Sequence, residues 1–242
     1  MNTAPSYRIR GVDVLGFRNE NEFITELFAG DTVKTGVMVA INAEKVIISE
    51  RDPALRAVID TAKYRYADGI SIVRSIKKRY SANVERIAGV DLWHTMMQRA
   101  GQDRIPVFLL GGRPEVLNTV QQRLKEEWQV EIVGSQDGYF DDSERPTLFK
   151  RIRDSGAEIV TVALGSPKQE LFIHECSQLH PDALYMGVGG TFDIFSGHVK
   201  RAPKLWRKLG LEWLYRILSQ PTRLGRLCRV VRYATYHYSN RL

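Results

Sequence analysis

The sequence predicts an α/β protein built on a doubly wound, mostly parallel sheet. Short apolar runs alternate with helix-length segments, and several of the runs end at Gly or Asn. Alternation of that kind argues for parallel strands with helices on both faces. The last run leads into a basic stretch, so a helical C-terminal appendage is expected on a Rossmann-like body.

The elements follow in order. Val37–Ile41 is an apolar run ending at Asn42. Asp52 and Pro53 are the N-cap and first turn of a helix carrying Leu55, Val58, Ile59 and Ala62. Leu92, Met96, Met97 and Ala100 recur at helical spacing, and Gly101 is expected to end that helix. Val107–Leu110 reads as a buried strand followed by Gly111-Gly112 and a helix opening at Pro114. Residues 130–133, 159–164 and 183–186 are further strands, with helices over 143–154 and 168–179 between them. The expected division is a body of residues 1–198 and an appendage of residues 199–242. There is no internal repeat and no low-complexity segment.

Composition narrows the function classes. A 242-residue chain with 43% hydrophobic residues can bury a large core. No aliphatic run approaches a bilayer span, and residues 1–11 hold no apolar h-region, so neither a transmembrane helix nor a signal peptide is expected. Cys176 and Cys228 have no zinc or disulfide spacing; both are expected as buried or interfacial thiols in a reducing cytoplasm. The net charge of +7 is unevenly spread. Residues 199–242 hold eleven Lys or Arg and one acid, Glu212, a surplus of ten that leaves the body at −3. A basic tail on a mildly acidic body points to a polyanionic surface, membrane or nucleic acid.

Ligands of such sheets bind beyond the carboxyl ends of the strands. Asn42, Gly111-Gly112, Gly165-Ser166-Pro167 and Gly187–Thr191 would then share one edge. Gly187, Gly189 and Gly190 allow bare backbone to approach a phosphate, or serve only a tight turn. Phe192 stands where a dinucleotide fingerprint needs its third glycine, which argues against a dehydrogenase and against an epimerase. Gly111 and Gly112 suit a diphosphate at a helix N-terminus or a plain turn. Asp68, before Gly69, is a turn residue or a general base. Asp193 caps the next helix or faces the ligand, with capping the simpler role. Ser166 with Gln169 fits a capping box; the functional alternative makes Gln169 a clamp on a sugar or uracil. No Asp-x-Asp pair, no histidine ligand spacing and no Gly-x-Ser-x-Gly elbow occurs, so neither a metal nor a serine nucleophile is expected.

Leu224, Leu227, Cys228, Val230, Val231, Ala234 and Tyr238 fall on one helical arc, with Arg226, Arg229 and Arg232 opposite. Such a helix suits an anionic bilayer interface; its alternative is a terminal helix packing its apolar face on the body. RNA is the rival partner, but no RNP-type aromatic motif supports it, and no nucleic-acid partner is expected.

Five blocks stand in the order found in the WecG/TagA/CpsF glycosyltransferases: residues 39–44 (VAINAE), 66–69 (YADG), 86–92 (RIAGVDL), 165–170 (GSPKQE) and 187–203 (GVGGTFDIFSGHVKRAP). The chain resembles that family over nearly its whole length, with further likeness at residues 134–140 and 210–216. The resemblance implies an inverting, metal-independent enzyme with no cofactor. It would move N-acetyl-D-mannosaminuronate from UDP to undecaprenyl-diphosphate-linked N-acetylglucosamine, making the second lipid intermediate of enterobacterial common antigen. Asp68 matches the family's general base, and Asn42, Arg86 and Gln169 match pocket residues. The glycine turn matches the UDP site. The family's appendage reaches membrane and active site, which makes Arg216, Arg223 and Arg226 candidates for diphosphate contacts. Ala40 replaces a family Thr, so a hydroxyl is missing there. The implied location is the cytoplasmic face of the inner membrane, with the oligomeric state open.

Overall fold

Two N-terminal strands, β1 (Ser6–Ile9) and β2 (Val12–Leu15), form a hairpin turning at Arg10 and Gly11, both at positive φ. Helix α1 (Glu20–Leu27) follows, its first turn held by the Asn19 side chain accepting from Glu22 N–H. A small separate hairpin, β3 (Phe28–Ala29) and β4 (Thr32–Val33), leads into β5 (Gly36–Ile41). Then come α2 (Ala43–Ser49), α3 (Pro53–Thr61), β6 (Tyr64–Ala67), α4 (Ile70–Tyr80) and α5 (Gly89–Gln102). The second half runs β7 (Val107–Gly111), α6 (Pro114–Trp128), β8 (Ile132–Gln136), α7 (Arg145–Asp154), β9 (Ile159–Ala163), α8 (Lys168–Leu179) and β10 (Leu184–Gly187). Among the described residues the chain closes with α9 (Thr191–Phe195), α10 (Lys204–Lys208), α11 (Glu212–Ser219) and α12 (Gly225–Tyr238). This computed structural model describes residues 4–30, 32–219 and 225–242, without the side chain of Arg216.

The main sheet has the order β1-β2-β6-β5-β10-β9-β7-β8. Only the β1–β2 pair is antiparallel; every other neighbouring pair is parallel. The α/β, doubly wound reading therefore holds. Side chains alternate between the two faces as the strand period of two requires. Met38, Tyr64, Tyr66, Leu109, Leu184 and Met186 join a core with Trp93, Met96 and Leu117 of α5 and α6. Val39, Ile41 and Ala67 pack with Ile47, Leu55 and Ile72 of α2, α3 and α4. Phe108, Leu110, Val160, Val162 and Tyr185 pack with Phe149 and Phe172 of α7 and α8. Burial of each such Leu, Ile, Val or Phe side chain favours folding by about 1.5–3 kcal/mol.

Several strand ends shift by a single residue from the sequence reading, and three boundaries differ for reasons that packing shows. Helix α5 runs through Gly101 to Gln102. A Cβ at residue 101 would lie 1.8 Å from the Trp128 carbonyl oxygen, so this glycine admits the end of α6 rather than stopping a helix. Strand β8 lies at Ile132–Gln136 rather than 130–133. It includes Gly134, where a side chain would strike the Phe108 ring. Residues 142–144 form a 3₁₀ turn, and α7 begins only at Arg145. Asp52 caps α3 as expected, accepting from Leu55 N–H at 3.0 Å.

Candidate active site

Parallel strands bring their carboxyl ends to one edge, where β6, β5, β10 and β9 lie side by side. Tyr66 and Ala67 belong to β6, so Asp68 is the first residue past a strand rather than part of a free loop. The Asp68 and Gly69 N–H groups both donate to Ile41 O at 3.1 Å, tying the end of β6 to that of β5. Asn42, next after β5, caps α2 by accepting from Lys45 N–H at 2.9 Å. One Asp68 carboxylate oxygen accepts from Gly89 N–H at 3.3 Å. Arg86 completes the cluster: its Nε donates to Asp68 O at 2.5 Å, and its Nη2 lies 3.6 Å from Asp68 Oδ1.

Two clefts meet at these residues. A polar one of about 200 Å³ runs over the strand ends and is lined by Lys45, Gly165, Gln169, Gly187, Gly189 and Gly190 among others. A largely apolar one of about 320 Å³ lies between the body and the C-terminal helices, lined by Ile70, Trp213, Ile217, Val230, Ala234 and Tyr238 among others. Asn42, Glu44, Asp68, Arg86, Glu212 and Arg226 line both. Ala40 lines the polar cleft.

The glycine turn is supported by a side chain that sequence reading had offered as a helix cap. The first residue of α8 is preceded by Pro167, with no side-chain cap, so the Ser166–Gln169 capping box does not form. Gln169 is buried instead, and its Oε1 accepts from Gly189 N–H at 2.9 Å. A Cβ at Gly187 would sit 2.5 Å from Gln169 Nε2, so residue 187 must be bare for this clamp to fit. Val188 and Thr191 N–H groups are also engaged, with Val162 O and Val188 O. The turn thus offers a ligand close approach more than a row of vacant donors.

The polar cleft has a charged floor. Lys45 Nζ lies 2.9 Å from Glu170 Oε1 and donates to Ala40 O at 2.9 Å, with both side chains buried. Burial pushes the Glu170 carboxyl up, but the Lys45 charge and hydrogen bonds outweigh it and hold the group below its ordinary value. Tyr66, fully buried in the same wall, is pushed far up by burial and by nearby carboxylates, so its hydroxyl keeps its proton. Among the described residues no cluster of three or more His, Cys, Asp or Glu comes together in a way that could hold a metal ion.

Other expected residues lie elsewhere. Gly111 and Gly112 line neither cleft. A Cβ at Gly111 would be 2.4 Å from Ala163 O, and Gly112 O accepts from Gly138 N–H, so both serve the packing of three strand ends. Asp193 is not a cap: Gly190 holds that position, and Asp193 sits inside α9. Cys176 is buried, but Cys228 is exposed on α12.

The tail packs on the body with parts of both arcs: Val230 and Ala234 of the apolar arc line the apolar cleft beside the buried Tyr233. Its arginine arc is turned to the body: Arg229 meets Glu44 at 2.6 Å, Arg226 meets Glu44 at 3.6 Å, and Arg232 meets Glu50 at 3.2 Å. Tyr233 is buried and donates to Ser75 Oγ. Leu227, Val231 and Tyr238 are exposed, as are Leu205, Leu209 and Leu218 of the two preceding helices. Of the three candidate arginines, Arg226 lines both clefts; Arg223, with Leu224, and the Arg216 side chain lie outside the described residues. No helix among the described residues is long and apolar enough to cross a membrane.

Sequence reading gave no separate role to Glu44, Lys45, Glu170 and Trp213, and took Arg201 only as one of several cations close to the glycine turn. It noted Glu212 only as the one acid of the basic tail, and that isolation was the available signal. Glu212 is buried, with Oε2 accepting from Arg86 Nη2 at 3.2 Å. The chain matches the glycosyl transferase WecG/TagA/CpsF family over residues 8–241 and belongs to that family. It is accordingly a glycosyltransferase that uses a UDP-sugar, of a family devoted to cell-envelope polysaccharide synthesis.

Proposed function

We propose that this enzyme transfers N-acetyl-D-mannosaminuronate from its UDP donor to undecaprenyl-diphosphate-linked N-acetylglucosamine, the step that makes the second lipid intermediate of enterobacterial common antigen. Residues 1–198 form the transferring core, and residues 199–242 form a membrane-associating appendage on the cytoplasmic face of the inner membrane. The observation that carries the reading is the junction of the two clefts at Asp68. A polar cleft over glycine-bearing strand ends suits a nucleotide sugar. An apolar cleft walled by the appendage suits a lipid-borne acceptor. The choice of donor sugar rests on the likeness at residues 134–140 and 210–216.

Asp68 takes the proton from the acceptor 4-hydroxyl as that oxygen attacks C1 of the donor sugar. The C1–O bond to UDP breaks with its electron pair passing to the β-phosphate oxygen, and in-line geometry inverts the anomeric centre. Charge developing on UDP is met by cations aimed at the cleft, of which Arg86 and Arg226 are nearest the junction. Gln169 and the glycines 165, 187, 189 and 190 shape the donor side; Asn42 sits where donor and acceptor meet. The exposed leucines of α10 to α12 and Val231 supply apolar contact with the bilayer.

The test is Asp68→Ala, assayed with lipid-diphosphate N-acetylglucosamine and a panel of UDP-sugars. A general base contributes about 10²–10⁴-fold in rate, so a loss of that size is expected with circular dichroism and UDP binding unchanged. Transfer at the normal rate would overturn the assignment of the base. Preference for a different UDP-sugar would overturn the choice of donor.

A further inference from the structure

Resting on the reading just given, we propose that Glu212 is a positioning residue that holds Arg86 off the Asp68 carboxylate and so makes the base depend on docking of the appendage. Glu212 opens α11 and is 3% exposed, although it is the one acid in a segment carrying eleven cations. A carboxylate is kept out of water only where charges and donors compensate it. Among the described residues, the guanidinium groups of Arg86 and Arg201 contribute to that compensation. Arg86 donates from Nη2 to Glu212 Oε2 at 3.2 Å, and Arg201 Nε lies 3.7 Å from Glu212 Oε1. Arg201 cannot swing away, because its two terminal nitrogens are fixed on Asp91 of α5 at 2.5 and 2.7 Å. Asp91 is itself buried enough to be pushed up, yet Arg201 brings it below its ordinary value.

Arg86 Nη2 therefore stands between two carboxylates. Glu212 is the nearer, at 3.2 Å, and Asp68 Oδ1 is at 3.6 Å, too long for a hydrogen bond. Arg86 is anchored from behind by its Nε on the Asp68 carbonyl, so a small rotation decides which carboxylate its Nη2 joins. With Glu212 present the guanidinium is drawn to the appendage, and among the described residues the hydrogen bond to the Asp68 carboxylate comes from the Gly89 N–H. Without that charge Arg86 closes on Asp68, occupies an oxygen the acceptor proton needs, and displaces the Gly89 amide.

The experiment is Glu212→Gln, alone and with Arg86→Gln, in the full chain. Glu212→Gln should lower kcat by about 10- to 100-fold, the cost of misplacing a reacting group by a fraction of an ångström to an ångström. In the Arg86→Gln background it should change kcat by less than about twofold, because the residue it acts through is gone. A readout that needs no turnover is exchange of the Gly89 amide, which should become at least about tenfold faster in Glu212→Gln. Binding to anionic vesicles and the tryptic stability of the appendage should stay as in the wild type. Activity of Glu212→Gln within twofold of wild type overturns the proposal. So does an equal loss in both backgrounds, an unchanged Gly89 amide, or early tryptic release of the appendage, each of which makes Glu212 a docking contact only. A wild-type protein that turns over no UDP-sugar removes the functional reading, and this inference falls with it.

Discussion

Replacing Lys45 with Met isolates the most buried ion pair of the polar cleft. The two side chains are 7% and 3% exposed, and the N···O distance is 2.9 Å. Met preserves the length of the lysine stem, so packing changes little and the perturbation is the loss of one charge. What remain on Glu170 are the hydrogen bond from Gln169 Nε2 at 3.0 Å and the Ser166 side chain. Breaking one partner of such a buried pair costs about 3–5 kcal/mol, against the small surface value of about 0–1 kcal/mol for an exposed pair. The pH dependence carries a sign that packing alone would not produce. In the wild type the Glu170 carboxyl lies below its ordinary value of 4.5, so its contribution is complete above that value and is lost as pH falls through the folded one. In Lys45→Met the largest opposing influence is gone, burial outweighs the remaining hydrogen bonds, and the folded value moves above the unfolded one. Stability from this group then falls as pH rises from about 4.5. Urea unfolding followed by circular dichroism at pH 5 and pH 7 measures both. The variant should lose more at pH 7 than at pH 5, and Lys45→Met with Glu170→Leu should recover most of the loss. A loss under about 1 kcal/mol, or one equal at the two pH values, would refute the argument that an uncompensated buried charge is the cause.

Other expectations follow from the same geometry. Gly187→Ala should drive Gln169 from the Gly189 amide and weaken UDP binding about tenfold by calorimetry, whereas Gly165→Ala, where a Cβ meets nothing within 4 Å, should affect binding only through its positive φ. Leu227→Asp with Val231→Asp should abolish co-sedimentation with anionic vesicles. Both positions are exposed, so thermal stability should change little, and retained binding would reject the outward face of α12 as the membrane contact. Glu44→Ala strips both Arg226 and Arg229 of their partner, and limited trypsin digestion should then cut within α12 faster than in the wild type.

The alternation of the sheet, the edge lined by the candidate site, and the strand-end places of Asn42, Gly165 and Gly187 were legible in sequence because they depend on local rules, whereas Asp68 before Gly69 read locally as a turn and was singled out only through the family resemblance. A strand must end, a helix must be capped, and a parallel sheet opens at its carboxyl ends. Gly111-Gly112 misled for the same reason: a glycine pair between strand and helix looks alike whether it admits a phosphate or another backbone. Only the neighbouring Ala163 carbonyl distinguishes the two. Ser166 and Gln169 satisfied a capping pattern, but a glycine turn twenty residues away took the amide.

By itself the sequence determined an α/β body, a basic tail and an amphipathic last helix, since composition and periodicity are properties of the chain alone. Tertiary structure decided which parts of that helix turn inward. An apolar arc ordinarily seeks the core, yet here it is split: Val230 and Ala234 line the apolar cleft, Glu44 and Glu50 hold the arginines beside them, and Leu227 and Val231 stay in the open. It also decided that the tail's single acid is buried against Arg86, beside Asp68. Pairings of this kind join residues separated by more than a hundred positions, and no local pattern encodes a partner that far along the chain.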